Sequence, residues 1–211
     1  MRKLVLLIAL LGCPAVRADG PWKQLFNGKN MDGWEHVGPG SFTVDNGLLT
    51  AHGGMGLLWH TPEKFGNCVL RVVFRGNGPR ANSGVFIRIL DRPKEPWYAV
   101  HFGYEVQIEE AGDDYHRTGV IYSMNKAMAK PASPPDGWNT MEITLDGQHT
   151  VVMVNGAKVT DFRGSDPVPE RKMWYEPERG PRPDHGYIGL QNHDERTIVE
   201  FREVSVKPLG K

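Results

Sequence analysis

Residues 138–162 read Trp-Asn-Thr-Met-Glu-Ile-Thr-Leu-Asp-Gly-Gln-His-Thr-Val-Val-Met-Val-Asn-Gly-Ala-Lys-Val-Thr-Asp-Phe. Apolar and polar residues alternate through Met141, Ile143 and Leu145, and β-branched residues dominate the run that follows. A strand points successive side chains to opposite faces, so alternation of this kind marks a half-buried strand. Asp146-Gly147 and Asn155-Gly156 divide the stretch into three runs. Both dipeptides tolerate the positive φ of two-residue hairpin turns. Residues 138–162 are therefore expected to form a three-stranded antiparallel meander.

Working outward, the same signature recurs. Short runs rich in β-branched and aromatic residues fall at 42–44, 48–51, 56–59, 68–75, 84–90, 104–108, 119–123, 187–192 and 198–206. Gly, Pro, Asn and Asp clusters separate them, and Asn46-Gly47 marks a further tight turn. No long amphipathic helix pattern is present. Many short strands with regular turns predict an all-β sandwich or jelly roll. Two long loops interrupt the pattern, at 125–137 and 164–186; the second carries Trp174 and Tyr175. Long loops inside a compact domain are commonly rims or lids of binding clefts.

The chain has 211 residues, with 25 Lys+Arg balanced by 25 Asp+Glu. That balance gives no overall field toward nucleic acid or anionic membrane. Met1-Arg2-Lys3 precedes an apolar run at 4–11 that is too short to span a bilayer, and small residues follow around Ala18. Residues 1–18 read as a secretory signal peptide, leaving 19–211 as one exported domain, periplasmic or secreted. A lipid on Cys13 is the weaker reading. Loss of Cys13 would leave Cys68 alone, without a disulfide partner, in a strand-like run that suits a buried structural thiol.

The chemistry-bearing residues fall on strands whose parity groups them. Glu105, Gln107 and Glu109 share one face of their strand, while Tyr104, Val106 and Ile108 share the other. The apolar set belongs against the core, which turns the polar set toward water or a concave cleft. By the same parity Arg88 lies with Phe86, and Gln191 with His193; Tyr122 precedes a long loop. If these strands share a sheet, a carboxylate, a guanidinium, an imidazole, amides and a phenol converge on one hollow. Such groups recognise sugars, with aromatic faces for the C–H side. Trp59, Trp97, Trp138 and Trp174 are the stacking candidates, each more often core than ligand contact. The run Glu105-Val-Gln-Ile-Glu-Glu110 also resembles the three-acid motif of laminarinase-like glucanases, but Gln107 replaces the central acid and Glu110 needs a bulge to join Glu105. No dense metal-ligand spacing, phosphate loop or nucleophile elbow occurs.

Several segments, in order and spacing, resemble the 3-keto-disaccharide hydrolase family. They are residues 25–34, Leu-Phe-Asn-Gly-Lys-Asn-Met-Asp-Gly-Trp; 82–88, Asn-Ser-Gly-Val-Phe-Ile-Arg; 104–108; 118–122; 138–143; 154–156; 186–194; and 201–209. The resemblance implies a concanavalin A-like, laminin-G-like jelly-roll sandwich. It also implies a 3-keto-glucoside lyase and 3-keto-2-hydroxyglucal hydratase, hence a 3-keto-glycoside ligand and a link to a glycoside 3-oxidoreductase. In that chemistry a ketone at the third sugar carbon acidifies the hydrogen on the second. A base removes it, the anomeric substituent leaves, and water adds to the glucal. Glu105 and His193 are the expected acid and base in either order, and Arg88 the expected cation on the developing enolate. A divalent metal is the alternative Lewis acid. Gln107, Gln191, Tyr122, Trp138 and Glu109 are the expected substrate contacts. A non-catalytic carbohydrate-binding module is the competing reading, and a surface adhesion domain the third. The enzyme reading as stated requires Glu105, Arg88 and His193 to share one hollow.

Overall fold

The computed structural model describes residues 20–134 and 136–210. The expected signal peptide and Cys13 lie outside the described residues. Within them, the stretch that opens the sequence reading forms β9 (Asn139–Asp146), β10 (His149–Val154) and β11 (Ala157–Arg163), paired in antiparallel succession. Asn155 and Gly156 form the second turn with φ of 50° and 80°, as a mirror-image turn requires. In the first turn the two loop residues are Gly147 and Gln148, because Asp146 pairs with His149. Gly147 alone takes positive φ there.

The remaining elements are β1 (Lys23–Gln24), β2 (Trp34–Val37), β3 (Ser41–Asp45), β4 (Leu48–His52), β5 (Gly56–His60), β6 (Cys68–Gly76), β7 (Ser83–Ile89), α1 (Pro96–Phe102), β8 (Tyr104–Ile108), β12 (Tyr187–Asn192) and β13 (Ile198–Pro208). They form two antiparallel sheets. One has the order β11-β10-β9-β6-β13-β4-β3, with β1 on β13; the other has the order β2-β5-β12-β7-β8. The core lies between them. Met141, Ile143 and Val204 from the larger sheet meet Val85, Ile87, Val106 and Leu190 from the smaller one. Cys68 is buried here, and burial pushes its thiol up to about 12, as expected of a structural cysteine. The structure is thus an all-β jelly-roll sandwich. No helix among the described residues is long and apolar enough to cross a membrane.

Three features depart from the sequence reading. Residues 119–123 are turns rather than a strand, tied to β8 by the isolated bridge Val106–Ile121 and by a bond from Gly119 N–H to Gln107 O. The short strands β1 and β2 went unread. So did α1, whose seven residues are too few to show a helical period. Its start has a physical signature nonetheless: the Glu95 carboxylate accepts from the Trp97 N–H at 2.9 Å, and Pro96 occupies the first turn.

β5, β7 and β8 are buried along their whole length, on both faces. The inner face packs in the core. The outer face carries a second apolar layer, in which Leu57, Trp59, Phe86 and Ile89 pack against Ala99 and Val100 of α1. This helix, together with the 164–186 loop, builds walls on what would otherwise be an open sheet.

The 164–186 loop is held by arginines. Arg182 is buried and donates to the carbonyls of Gly103 (3.0 Å), His101 (2.9 Å) and Glu178 (2.6 Å). Arg179 donates to Pro169 O at 2.8 Å and to the Glu176 carboxylate at 2.6 Å. Arg171 reaches the Trp174 carbonyl at 2.6 Å.

Candidate active site

The outer face of the five-stranded sheet holds a pocket of about 360 Å³. β8 supplies Glu105 and Gln107 to its floor, with Glu109 just beyond the strand end. β12 supplies Gln191, and His193 follows it. Asn82 enters immediately before β7. His116 and Tyr122 come from the segment after β8, Trp97 and Val100 from α1, and Tyr175 from the arginine-braced loop.

Glu105 is 6% exposed. Burial pushes its carboxyl up to about 8; the Gln191 amide opposes this and the nearby Glu109 adds to it. Near neutral pH Glu105 is therefore mostly protonated and can donate. The space for it is made by Gly84, which sits on β7 opposite Gln107. A Cβ on Gly84 would lie 2.6 Å from Glu105 Cγ and 2.8 Å from its Cδ. Gly84 does not have positive φ, so room for the carboxyl, rather than backbone strain, is what its missing side chain provides. Gly84→Ala should lower kcat/KM by about 100-fold through displacement of Glu105, with a stability loss of only about 1–3 kcal/mol from overpacking. Steady-state kinetics alongside urea unfolding check this; unchanged kinetics would mean that the carboxyl's position is unimportant.

The polar floor is networked. The Gln107 amide donates to Asn82 Oδ1 at 3.3 Å and to Glu109 Oε2 at 3.4 Å, and the Asn82 amide donates to the same Glu109 oxygen at 3.4 Å. Gln107 Oε1 and Gln191 Oε1 are buried without a hydrogen-bond partner among the described residues. Buried amide oxygens left open in this way suit hydroxyl donors of a ligand.

His193 Nδ1 lies 2.9 Å from Asp194 Oδ2. Burial acts to raise the Asp194 carboxyl, but bonds from His193, the Arg196 and Thr197 N–H groups and the Thr197 hydroxyl outweigh it and hold it at about 2. An ionised carboxylate on Nδ1 keeps the proton there, which leaves the Nε2 lone pair of the neutral ring free. Tyr122 is raised by burial first and by Glu105 next, so its hydroxyl keeps its proton and remains a donor.

Glu105, Gln107, Glu109, Gln191, Tyr122 and His193 thus share one pocket. Arg88 does not join them, which overturns the expected three-way meeting and, with it, the enzyme reading in the form that put a guanidinium on the developing enolate. Its φ is 59°, and the β7–β12 register shifts between Tyr187 and Gly189. This bulge reverses parity: Ile89, not Arg88, joins Phe86 in the outer layer. The Arg88 side chain, 1% exposed, instead donates to Pro183 O at 2.8 Å and to Gly147 O. Trp138 is also elsewhere, stacked by Arg75 and Arg202, each 4.6 Å from its ring centroid. Glu110 bonds Ser133 and lines a different pocket, so it makes no acid pair with Glu105. Of the other stacking candidates, Trp59 is buried beneath α1 and Trp97 lines the pocket.

Sequence reasoning passed over Asn82, His116, Val100, Met55 and Tyr175 as pocket residues. Asn82 had a signal, since it precedes the strand beside Glu109. Among the described residues no three His, Cys, Asp or Glu side chains converge as metal ligands.

A pocket of acids, amides and aromatic rings on a jelly-roll sheet has the groups of a carbohydrate-active β-sandwich protein. Comparison with known proteins narrows this. Residues 21–207 match the 3-keto-alpha-glucoside-1,2-lyase-like domain, and the chain belongs to that family. A candidate glycosyl hydrolase from Parabacteroides distasonis is 26% identical, with a TM-score of 0.73 over 90% of this chain and 100% of that one. A second from the same organism is 20% identical, with a TM-score of 0.71 over 90% of this chain and 94% of that one. A Bacillus subtilis protein with a galectin-like fold is similar at 14% identity and a TM-score of 0.65, covering 93% of this chain and 100% of that one. No curated protein matches the chain.

Proposed function

We propose that this protein cleaves 3-keto-glycosides by elimination and then hydrates the resulting glucal, a net hydrolysis. The observation that carries the reading is a buried Glu105, its carboxyl pushed up to about 8 by burial, in the same pocket as a His193 whose Nδ1 is held by Asp194. His193 Nε2 takes the proton from the second sugar carbon. Electrons shift through that carbon toward the anomeric carbon, the glycosidic C–O bond breaks, and Glu105 gives its proton to the departing oxygen. The ketone oxygen gathers negative charge on the way. With Arg88 elsewhere, hydrogen-bond donors do this work, and the Tyr122 hydroxyl suits the role.

Hydration runs the same groups in reverse. The Glu105 carboxylate takes a proton from water as it adds to the anomeric carbon, and protonated His193 returns a proton to the second carbon. Both groups end as they began. The substrate's ketone has to come from a prior oxidation of a sugar carbinol, which is the place of a partner oxidoreductase.

The test is cleavage of a 3-keto-glucoside in deuterated water, sampled early by mass spectrometry. Elimination and hydration place deuterium on the second carbon once the imidazolium N–H has exchanged with solvent; direct hydrolysis does not. Release without label and with no glucal in the early samples would sink the elimination route, because the imidazolium can also hand back the proton it took. Binding without release would favour the carbohydrate-binding module.

A further inference from the structure

The pocket is chemically lopsided. Along β8 the polar network of Gln107, Asn82 and Glu109 lies at the C-terminal side of Glu105. The wall built by α1 and the 164–186 loop is aromatic. There Trp97 lines the pocket, and Trp174 packs against it with ring centroids 4.8 Å apart. Tyr175, which also lines the pocket, lies edge-on to Trp174 at 5.8 Å. Trp174 is 64% exposed, the most exposed of the large hydrophobic side chains described. Its backbone is nevertheless fixed, since Arg171 holds both the Met173 and Trp174 carbonyls. A tryptophan kept in water on a braced loop, beside the mouth of a pocket, is placed for a ligand ring rather than for the core.

We propose that Trp174, backed by Trp97, is a second subsite that stacks a ring in the leaving group of the substrate. The inference rests on the reading of Glu105 as the acid at the glycosidic oxygen. Hydroxyls of the reacting sugar are matched by the amides and carboxylate on one side of Glu105. What lies beyond the scissile oxygen then faces the aromatic side. A ring with an apolar face is the chemistry recognised there, supplied by an aryl aglycone or by the C–H face of a second sugar. A methyl leaving group is too small to reach Trp174.

The experiment compares methyl, phenyl and glucosyl 3-keto-glucosides with the native protein and with Trp174→Ala. Trp174 is exposed, so the variant should keep its fold. Cleavage is followed as kcat/KM and binding by calorimetry. The expected result is a loss of about 10-fold for the ring-bearing ligands in the variant, the scale of one stacking contact, with the methyl glycoside unchanged. Loss confined to the phenyl compound identifies an aryl aglycone; loss confined to the glucosyl compound identifies a disaccharide. Equal loss for all three ligands, or no loss for any, overturns the subsite. The two proposals fail separately. Cleavage of all three without dependence on Trp174 sinks the subsite and spares the lyase. Binding that depends on Trp174 with no cleavage sinks the lyase and spares the subsite.

Discussion

Glu105→Gln should lower kcat on a 3-keto-glycoside by about 100- to 10,000-fold, the range a positioned general acid contributes. The amide keeps the shape of the carboxyl but has no proton to give to the leaving oxygen. The pH profile carries the stronger statement. Burial holds the carboxyl at about 8, so the donating form is lost as pH rises through 8. Native kcat/KM should fall across that range, and the residual activity of the glutamine variant should lack the fall. A native rate that instead rises through 8 would make Glu105 the base and His193 the acid.

The same substitution should move stability in the opposite direction. The folded carboxyl titrates near 8 against an ordinary 4.5. Folding therefore favours the protonated form, and that advantage is full below 4.5 and is lost as pH rises to 8. At pH 5 the native protein and Glu105→Gln should melt alike. At pH 9 the variant should be more stable, on the order of a few kcal/mol. Thermal unfolding at the two pH values decides this, and equal melting at both would show that the carboxyl ionises in the fold without penalty.

Arg88→Met should destabilise the protein by about 3 kcal/mol while leaving the kcat of the folded fraction within about threefold. The guanidinium is buried in the sandwich and satisfies two backbone carbonyls, at Gly147 and Pro183. Removing it leaves those acceptors without a donor, the costly half of breaking a buried hydrogen bond. Chemical unfolding and active-site-normalised kinetics check the two halves. A large drop in kcat with stability intact would restore the cationic role that the sequence suggested and the structure moves elsewhere.

The contrast between Glu105 and Arg88 shows what could be read before folding. Both were placed by counting parity along a strand. For β8 the count holds, because Tyr104 to Ile108 pairs regularly with β7 from Ile87 to Ser83. For β7 it fails at its end, because a bulge inserts one residue and turns Arg88 inward. Nothing in Phe-Ile-Arg-Ile announces a positive φ at arginine; the pairing with β12 imposes it. Trp138 failed differently. Its place at the head of β9 was legible, but which sheet that strand would join was not. Gln191 and His193 were legible for the reason Glu105 was. Tyr175 was not, since no local pattern shows where a 23-residue loop will fold back.

The arginine bracing of that loop bears on turnover. Its carbonyls are claimed by Arg171, Arg179 and Arg182, so the wall is held up by bonds within the chain. A wall held in this way leaves little ordering entropy to be spent on docking. A mouth braced in this way selects by fit: a ligand too wide for the gap between α1 and the loop is turned away at the surface.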